Sequence, residues 1–241
     1  MTREVKSGRI WELDAFRGLC ILCVIIIHAV FDLRYFAGLD FQLHPVFQFV
    51  MDYGGVLFVI LSGICVNLGS HSARRGIIVL ACGMVITLVT EAMIALGMAD
   101  SSVRIQFGVL HLLGVCMLLY PLFRRMPVAA VAVIGAVLVV LGYWFNTFTI
   151  SCPYLFPLGL RAPGFAAGDY FPLLPHLGWF LLGAVLGRSV YAPRKSLLPR
   201  FSTEAAPIRF LRACGRHSLW IYLIHQPVVY GLIMAVTALI K

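Results

Sequence analysis

The apolar stretch LDAFRGLCILCVIIIHAVFDL, at residues 13–33, carries Asp14 and Arg17 near its start and His28 near its end. In a helix, Asp14 and Arg17 share a face and can form an ion pair. Arg17 and His28 are eleven residues apart and project from one face about three turns from each other. Arginine binds anionic groups, and histidine exchanges protons near neutral pH. This spacing predicts an anionic donor bound at one end of the helix and general-base chemistry at the other.

The elements that must hold these residues are membrane helices. Of 241 residues, 61% are hydrophobic and 12% are charged, and the mean hydropathy is +0.95, which excludes a water-soluble globular domain. About 20 apolar residues of helix cross roughly 30 Å of hydrocarbon, so the sequence predicts an all-α polytopic bundle of about seven transmembrane helices. We place these helices at residues 11–31, 47–69, 76–97, 105–123, 127–147, 172–190 and 217–240.

Basic residues fall mainly on one side of the predicted bundle. On that side lie Arg3, Lys6, Arg9, Arg74, Arg75, Arg124, Arg125, Arg188, Arg194, Lys195, Arg200, Arg209, Arg212 and Arg216. The opposite side holds Arg34, Arg104, Arg161 and Lys241. The positive-inside rule therefore predicts a cytoplasmic N-terminus and an external C-terminus. Topology and contact with anionic lipid account for the net charge of +9, and the pattern gives no support for nucleic-acid binding.

Titratable residues lie within the predicted spans, where they are costly and point to function. Six helices each contribute one to the outer half of the bundle: His28, Asp52, Glu91, His111, His176 and His225. His111 and His176 begin their helices and can equally sit at the headgroup level. Asp52 lies at a depth similar to that of His28, and a neighbouring carboxylate fixes the tautomer and basicity of a histidine. We therefore prefer His28 with Asp52 as a base and its orienting partner, with structural hydrogen bonding as the alternative.

Cysteine usage favours packing over metal or disulfide chemistry. Cys20 and Cys23 form a C-x-x-C on one face of an apolar helix, where small-residue packing is the simpler interpretation. We predict no metal site. Six of the seven cysteines fall in or beside apolar spans, so no disulfide framework is expected.

Two connections are longer than the others. Residues 148–171 are rich in proline, glycine and aromatics, so they either fold back over the outer end of the bundle or form an ordinary interfacial loop. Residues 191–216 mix basic and apolar residues and are compatible with a short interfacial helix after Pro207.

Three motifs resemble the transmembrane acyltransferases. They are RIWELDAFRG from Arg9 to Gly18, IQFGVLHLLGV from Ile105 to Val115, and GRHSLWIYLIHQP from Gly215 to Pro227. The sequence is similar to both the acyltransferase-3 group and the heparan-α-glucosaminide N-acetyltransferase group. Small bacterial members of the second group fit its length best. On this resemblance, residues 1–241 form a single transmembrane acyltransferase-like domain.

The resemblance implies transfer of an acetyl group from cytoplasmic acetyl-CoA to a sugar amine or hydroxyl outside the membrane, in a multi-pass protein of the bacterial inner membrane. In the acyltransferase-3 group an arginine, ten residues and a histidine form the signature of activity, which Arg17 and His28 match. In the lysosomal glucosaminide enzyme the essential histidine lies further downstream, and His44 is the nearest candidate here. The base is thus either His28 or His44.

Coenzyme A carries phosphates, which arginines bind through paired hydrogen bonds. Candidate donor-binding residues at the predicted cytoplasmic helix ends are Arg17, Arg74, Arg75, Arg124, Arg125 and Arg216. In our scheme for direct transfer, His28 deprotonates the acceptor and Asp52 orients the imidazole. His225 or His111 stabilises the thioester oxyanion. A covalent acetyl-histidine is the alternative within this scheme.

Other function classes fit less well. A proton-coupled small-molecule transporter would use the same titratable residues, but the sequence has no detectable inverted repeat. A retinal protein needs a lysine within the helical core, and all three lysines lie outside it. A membrane scaffold leaves the titratable residues unexplained. A homodimer is compatible with the small residues in the spans, which permit close contacts within or between chains. These residues are Gly54, Gly55, Gly63, Gly83, Gly114 and Gly135.

Overall fold

A computed structural model describes residues 9–39, 42–201 and 203–240. Arg3, Lys6 and Lys241, which the charge argument uses, lie outside the described residues. Within the described ranges the chain forms α-helices and two short 3-10 helices, Ser101–Val103 and Pro153–Leu158, and no strand. The α-helices are α1 Trp11–Tyr35, α2 Pro45–Val66, α3 Ser72–Ala95, α4 Val109–Phe123, α5 Val128–Phe145, α6 Leu173–Ser189, α7 Ala206–Arg216 and α8 Ser218–Ile240. The predicted all-helical membrane bundle is confirmed.

Each predicted span contains one helix. Five of the described helices, namely α1, α2, α3, α5 and α8, are long and apolar enough to cross a membrane. The other two, α4 and α6, have 15 and 17 residues. The additional helix, α7, begins at Ala206, at the place where the sequence predicted a short helix. The number of crossings and the side of the N-terminus stay predictions.

The chain divides into two compact units, of which the first holds the described residues up to Phe58 and from Pro193 onward. In this first unit α1 packs along α7 and α8. The start of α1 is tied to the segment before α7, since the Glu12 carboxylate accepts hydrogen bonds from the Ser196 hydroxyl at 2.8 Å and the Leu197 N–H at 2.7 Å. Further along, the Phe36 ring meets the Tyr230 ring edge to face. These contacts hold both ends of α1 within the first unit.

Glycines allow α1 and α7 to approach at the level of their backbones. A Cβ on Gly18 would lie 1.9 Å from the backbone oxygen of Leu211, and one on Gly215 would lie 1.8 Å from that of Asp14. No side chain fits at either position without moving a backbone. The sequence motifs that contain Gly18 and Gly215 therefore pack directly against each other.

The second unit comprises Val59–Ala192. In it α3 packs antiparallel to α4, and α5 packs on α6. The last turns of α2 pack on α6, where a Cβ on Gly63 would lie 2.0 Å from the backbone oxygen of Phe180. Gly83, Gly114 and Gly135 also sit in close helix contacts of this unit. The predicted close packing is confirmed within the chain for these four glycines, whereas a Cβ on Gly54 would meet only the Val50 side chain of its own helix, and the role of Gly55 stays a prediction.

Residues 148–171 fold back onto the segment that leads into α4. The Gly168 N–H donates to the Arg104 oxygen and the Phe171 N–H donates to the Phe107 oxygen, each at 2.9 Å. The Asp169 carboxylate accepts a hydrogen bond from the Val109 N–H at 3.0 Å and so caps the first turn of α4. The segment therefore folds back against residues 104–109 of the second unit, and its predicted place over the outer end of the bundle stays a prediction.

Tyr170 anchors this folded segment by donating its hydroxyl proton to the Phe156 oxygen at 2.6 Å. Burial raises the pKa of Tyr170 to about 12, and the positive charge of Arg161 partly offsets this effect. The neutral phenol is therefore favoured in the folded segment. Its stabilising contribution is complete below about pH 10, the usual tyrosine pKa, and is lost as the pH rises through about 12.

We expect the difference in tyrosinate absorbance between wild type and Tyr170→Phe to show one group that ionises near pH 12. The substitution should also destabilise the segment by about 1 kcal/mol, the net contribution of one hydrogen bond. Limited proteolysis within residues 148–171 measures that loss. A difference spectrum that titrates near pH 10 would contradict the buried hydroxyl.

Candidate active site

His28 of α1 and His225 of α8 lie against one another inside the first unit. Their ring centroids are 5.0 Å apart, and the rings meet edge to face. His225 is 7% exposed, and its Nδ1 donates a hydrogen bond to the Tyr222 oxygen at 2.7 Å. The buried Nε2 of His225 therefore carries a lone pair, and it has no partner among the described residues. Histidines from the first and last predicted spans thus form one pair.

A buried carboxylate lies one helical turn beyond His28. Asp32 is 0% exposed, and both of its oxygens accept hydrogen bonds from Nε2 of Gln226 at 2.9 Å. The other polar atom of that amide, Oε1, is buried and has no partner in the described part of the chain. Since Gln226 follows His225, the two contacts between α1 and α8 are continuous.

Asp32 and Gln226 are absent from the residues predicted from sequence. The first span was predicted to end at residue 31, which put Asp32 in a loop, whereas α1 continues to Tyr35. Two signals were present in the sequence. Asp32 follows His28 by four residues, which puts both on one helix face, and His225 is followed directly by a second polar residue.

Arg17 stands at the opposite end of the same face of α1. Its guanidinium lies 3.4 Å from the Asp14 carboxylate, which confirms the predicted ion pair. Arg17 and His28 are eleven positions apart along the helix, a rise of about 16 Å. Because α7 packs against this end of α1, Arg216 at the end of α7 belongs to the same unit; its Nε donates to the Arg212 oxygen at 3.3 Å.

Asp52 lies two turns into α2, and His44 directly precedes that helix. Asp52 is exposed and accepts a hydrogen bond from Gln48 at 3.0 Å. His44 is exposed, and its Nδ1 accepts a hydrogen bond from the Val46 N–H at 3.3 Å. The described residues include no hydrogen bond from either side chain to His28. Their roles as orienting carboxylate and alternative base stay predictions.

His111 belongs to the second unit, where both of its ring nitrogens are engaged. It is 3% exposed, and its Nδ1 accepts a hydrogen bond from the Gly108 N–H at 3.2 Å. The Thr87 hydroxyl donates to the Ile105 oxygen at 2.7 Å, so His111 Nε2 donates to that hydroxyl at 3.1 Å. In this state the imidazole is neutral and its hydrogen bonds hold the turn that precedes α4.

The remaining titratable residues of the predicted cluster also have partners in the second unit. Glu91 lies 2.7 Å from the guanidinium of Arg104. His176 donates from Nδ1 to the Pro172 oxygen at 2.7 Å. Of the six residues, the first unit therefore holds His28, Asp52 and His225, and the structure brings two of them into contact.

The other candidate donor-binding arginines lie at one end of the α3–α4 pair. Arg74 and Arg75 are in the first turn of α3, and Arg124 and Arg125 directly follow α4. The two helices are antiparallel, since a Cβ on Gly76 would meet Leu118 and one on Gly83 would meet His111, and this arrangement brings both arginine pairs to the same end. Arg188, a residue not predicted as a donor ligand, donates to the Met126 oxygen at 2.8 Å near the same end.

The arrangement in the first unit can support acid–base chemistry. His28 and the buried Asp32 carboxylate lie one turn apart on α1, and His225 of α8, whose Nε2 has no partner among the described residues, contacts His28. The Arg17 guanidinium stands near the other end of α1. Among the described residues, no group of three or more histidine, cysteine, aspartate or glutamate side chains is arranged to hold a metal ion.

Comparison with known proteins gives one result. No curated protein and no solved structure matches the chain significantly. The profile of the family described as heparan-alpha-glucosaminide N-acetyltransferase, catalytic, matches residues 9–227, which include α1, the turn around His111 and the first turns of α8. The chain therefore belongs to the heparan-alpha-glucosaminide N-acetyltransferase catalytic family and is a multi-pass membrane acetyltransferase.

Proposed function

We propose that this acetyltransferase takes its acetyl group from cytoplasmic acetyl-CoA and transfers it to an amine or hydroxyl of a sugar on the other side of the bacterial inner membrane. The observation that supports the proposal is that α1 carries both an anion-binding group and a candidate base. Arg17 lies near one end of the helix, and His28 lies about 16 Å away, in contact with His225. The pantetheine arm of coenzyme A has a reach of ~15–20 Å, which suits this separation.

The donor binds through its phosphates. Arg17 and Arg216 are the proposed ligands in the first unit, and the arginine pairs at the end of α3 and α4 are further candidates: Arg74, Arg75, Arg124 and Arg125. Guanidinium groups suit phosphate because they donate two parallel hydrogen bonds. The basic side of the protein is the cytoplasmic side in this proposal, in keeping with the positive-inside rule.

Transfer replaces one bond to the acetyl carbon by another. His28 takes a proton from the acceptor, the acceptor nitrogen or oxygen bonds to the carbonyl carbon, and the C–S bond breaks to release coenzyme A. Asp52 orients the base in this scheme. His225 donates to the oxyanion only after gaining a proton, because its Nδ1 proton is committed to Tyr222. A covalent acetyl-histidine at His28 is the alternative route.

We expect acetyl-CoA to stabilise the detergent-purified protein and Arg17→Ala to abolish that stabilisation. At ~100 times its dissociation constant, the ligand should raise the free energy of unfolding by about 2.7 kcal/mol, measured as a shift in Tm. Arg161→Ala is the matched control, since this exposed arginine lies in the segment at residues 148–171 and should leave the shift intact.

Two results would contradict the donor proposal. A wild-type protein that is well folded but not stabilised by acetyl-CoA would remove acetyl-CoA as the donor. A full shift in Arg17→Ala would keep acetyl-CoA and move its binding site away from α1.

A further inference from the structure

The contact between Asp32 and Gln226 has no role in the scheme above. An intramembrane carboxylate is expensive to bury and marks a functional site by default. Here the wholly buried Asp32 side chain is hydrogen-bonded only to a neutral amide among the described residues. A pair of apolar side chains would join α1 to α8 at lower cost. The carboxylate must therefore do more than hold the helices together.

Two hydrogen-bond acceptors remain beside this contact. The Gln226 amide nitrogen is bound to Asp32, which leaves Oε1 buried and without a partner. His225 donates from Nδ1 to Tyr222, which leaves the lone pair on Nε2 buried and equally without a partner. Buried polar atoms in native proteins nearly always have partners. While the His225 imidazole is neutral, both atoms can only accept, so the missing partner is a donor of hydrogen bonds.

We propose that Asp32 is a positioning residue for the acceptor substrate, and that it holds Gln226 so that Oε1 and His225 Nε2 accept hydrogen bonds from the nucleophilic amino group. This inference rests on the proposed function, in which His28 is the base. It identifies the residues of this chain that would receive the acceptor next to His28, since the His28 and His225 rings are in contact.

The number of hydrogens on the nucleophile determines whether the acceptor subsite, formed by Gln226 Oε1 and His225 Nε2, favours an amine or a hydroxyl. A protonated amino group has three hydrogens: one passes to His28 and frees the nitrogen lone pair, and the other two stay bound to Gln226 Oε1 and His225 Nε2. The nitrogen then bonds to the acetyl carbon as the thioester C–S bond breaks, the hydrogen held by His225 Nε2 passes to that imidazole, and coenzyme A leaves as the thiolate. A hydroxyl has one hydrogen, which must go to His28, and it leaves Oε1 unsatisfied at the moment of transfer. Leaving a buried acceptor unsatisfied is costly, so the subsite favours an amine.

Asp32→Asn separates positioning from a structural role. The introduced asparagine can accept from Gln226 Nε2 and at the same time donate to Gln226 Oε1, so two hydrogen bonds still join α1 to α8. The acceptor atom on Gln226 is consumed, however. Adding Gln226→Glu exchanges the amide and the carboxylate between the two positions. The asparagine then donates to one glutamate oxygen, and the other oxygen is free to accept a hydrogen bond from the substrate.

The test uses glucosamine as the acceptor and saturating acetyl-CoA, with release of the coenzyme A thiol as the readout. Asp32→Asn should raise KM for glucosamine about 10- to 100-fold, because the lost contact is to the bound acceptor. Its kcat, its Tm and its stabilisation by acetyl-CoA should stay near wild type. The double variant Asp32→Asn with Gln226→Glu should recover KM to within about threefold of wild type. Thr237→Val, on α8 outside the site, is the control.

Two results would overturn the inference. One is an unchanged KM for glucosamine in Asp32→Asn, and the other is a folded double variant whose KM stays as high as that of the single variant. Should Asp32→Asn fail to fold, Gln226→Met removes both amide atoms at similar volume, and an unchanged KM there has the same meaning. A wild type that is stabilised by acetyl-CoA but does not acetylate glucosamine overturns the amine subsite and keeps the donor site. Absence of any stabilisation by acetyl-CoA overturns the proposed function itself.

Discussion

His28→Ala is expected to lower kcat for acetyl transfer about 10²- to 10⁴-fold, the range for loss of a general base. The residue lies against His225 about 16 Å along the helix from Arg17, so its removal should leave the donor site intact. Stabilisation by acetyl-CoA should therefore match that of the wild type. Measuring both quantities on one preparation separates loss of the base from loss of folding.

Ile26→Ala is the matched control, since this exposed residue on α1 lies outside the proposed site. His44→Ala addresses the alternative base. A near-normal kcat in His28→Ala together with a large loss in His44→Ala would assign the base to His44 and reject the scheme built on α1. Near-normal rates in both variants would reject histidine base catalysis at either position.

The helices were predictable because a long apolar stretch identifies a membrane helix. The residues at which each helix begins and ends depend on tertiary contacts, which cannot be read from the sequence. The first span was predicted to end at residue 31, whereas α1 continues to Tyr35 and Asp32 accepts hydrogen bonds from Gln226 on α8. The fourth span was predicted from residue 105, whereas residues 104 to 107 pair with the folded-back segment and α4 starts at Val109.

The positions of site residues along one helix could be predicted from their spacing, but the contacts between residues of different helices could not. Spacing alone put Arg17 and His28 on one face of α1. It also gave depths to His28, Asp52 and His225, but depth does not say which helices are neighbours. The observed contact is between His28 and His225, because α8 packs on α1. From the sequence, His111 was assigned either to the cluster of six titratable residues or to the headgroup level, whereas its hydrogen bonds with Gly108 and Thr87 are apparent only in the fold.

The helix α7 illustrates the same limit. A short helix after Pro207 was predicted from basic residues between apolar ones, a pattern typical of a helix at the membrane surface, and the observed helix begins at Ala206. The pattern does not reveal that two glycines, one on each helix, bring α7 onto the start of α1. That contact fixes the end of α1 that carries Arg17, so it matters for the proposed donor site.

Gly18→Ala is expected to destabilise the protein by at least about 3 kcal/mol, at the upper end of the usual cost of overpacking. The added Cβ would lie 1.9 Å from the Leu211 oxygen, and this atom belongs to a backbone that cannot rotate away. In a chain of this size the loss lowers Tm by about 6–12 °C. Separation of α7 from α1 should also weaken the acetyl-CoA shift, since Arg17 adjoins the contact. Thermal unfolding with and without acetyl-CoA measures both effects.

Gly231→Ala provides the matched control for that substitution. It is also a helical glycine of the first unit, but its added Cβ would meet no atom within 4 Å. Because alanine lowers the entropy of the unfolded chain, this variant should gain about 0.5–1 kcal/mol. Opposite signs for the two variants would tie the stability of the unit to the backbone contact between α1 and α7. A Gly18→Ala protein as stable as wild type would show that α7 does not pack at this distance, and the support for Arg17 would have to come from elsewhere.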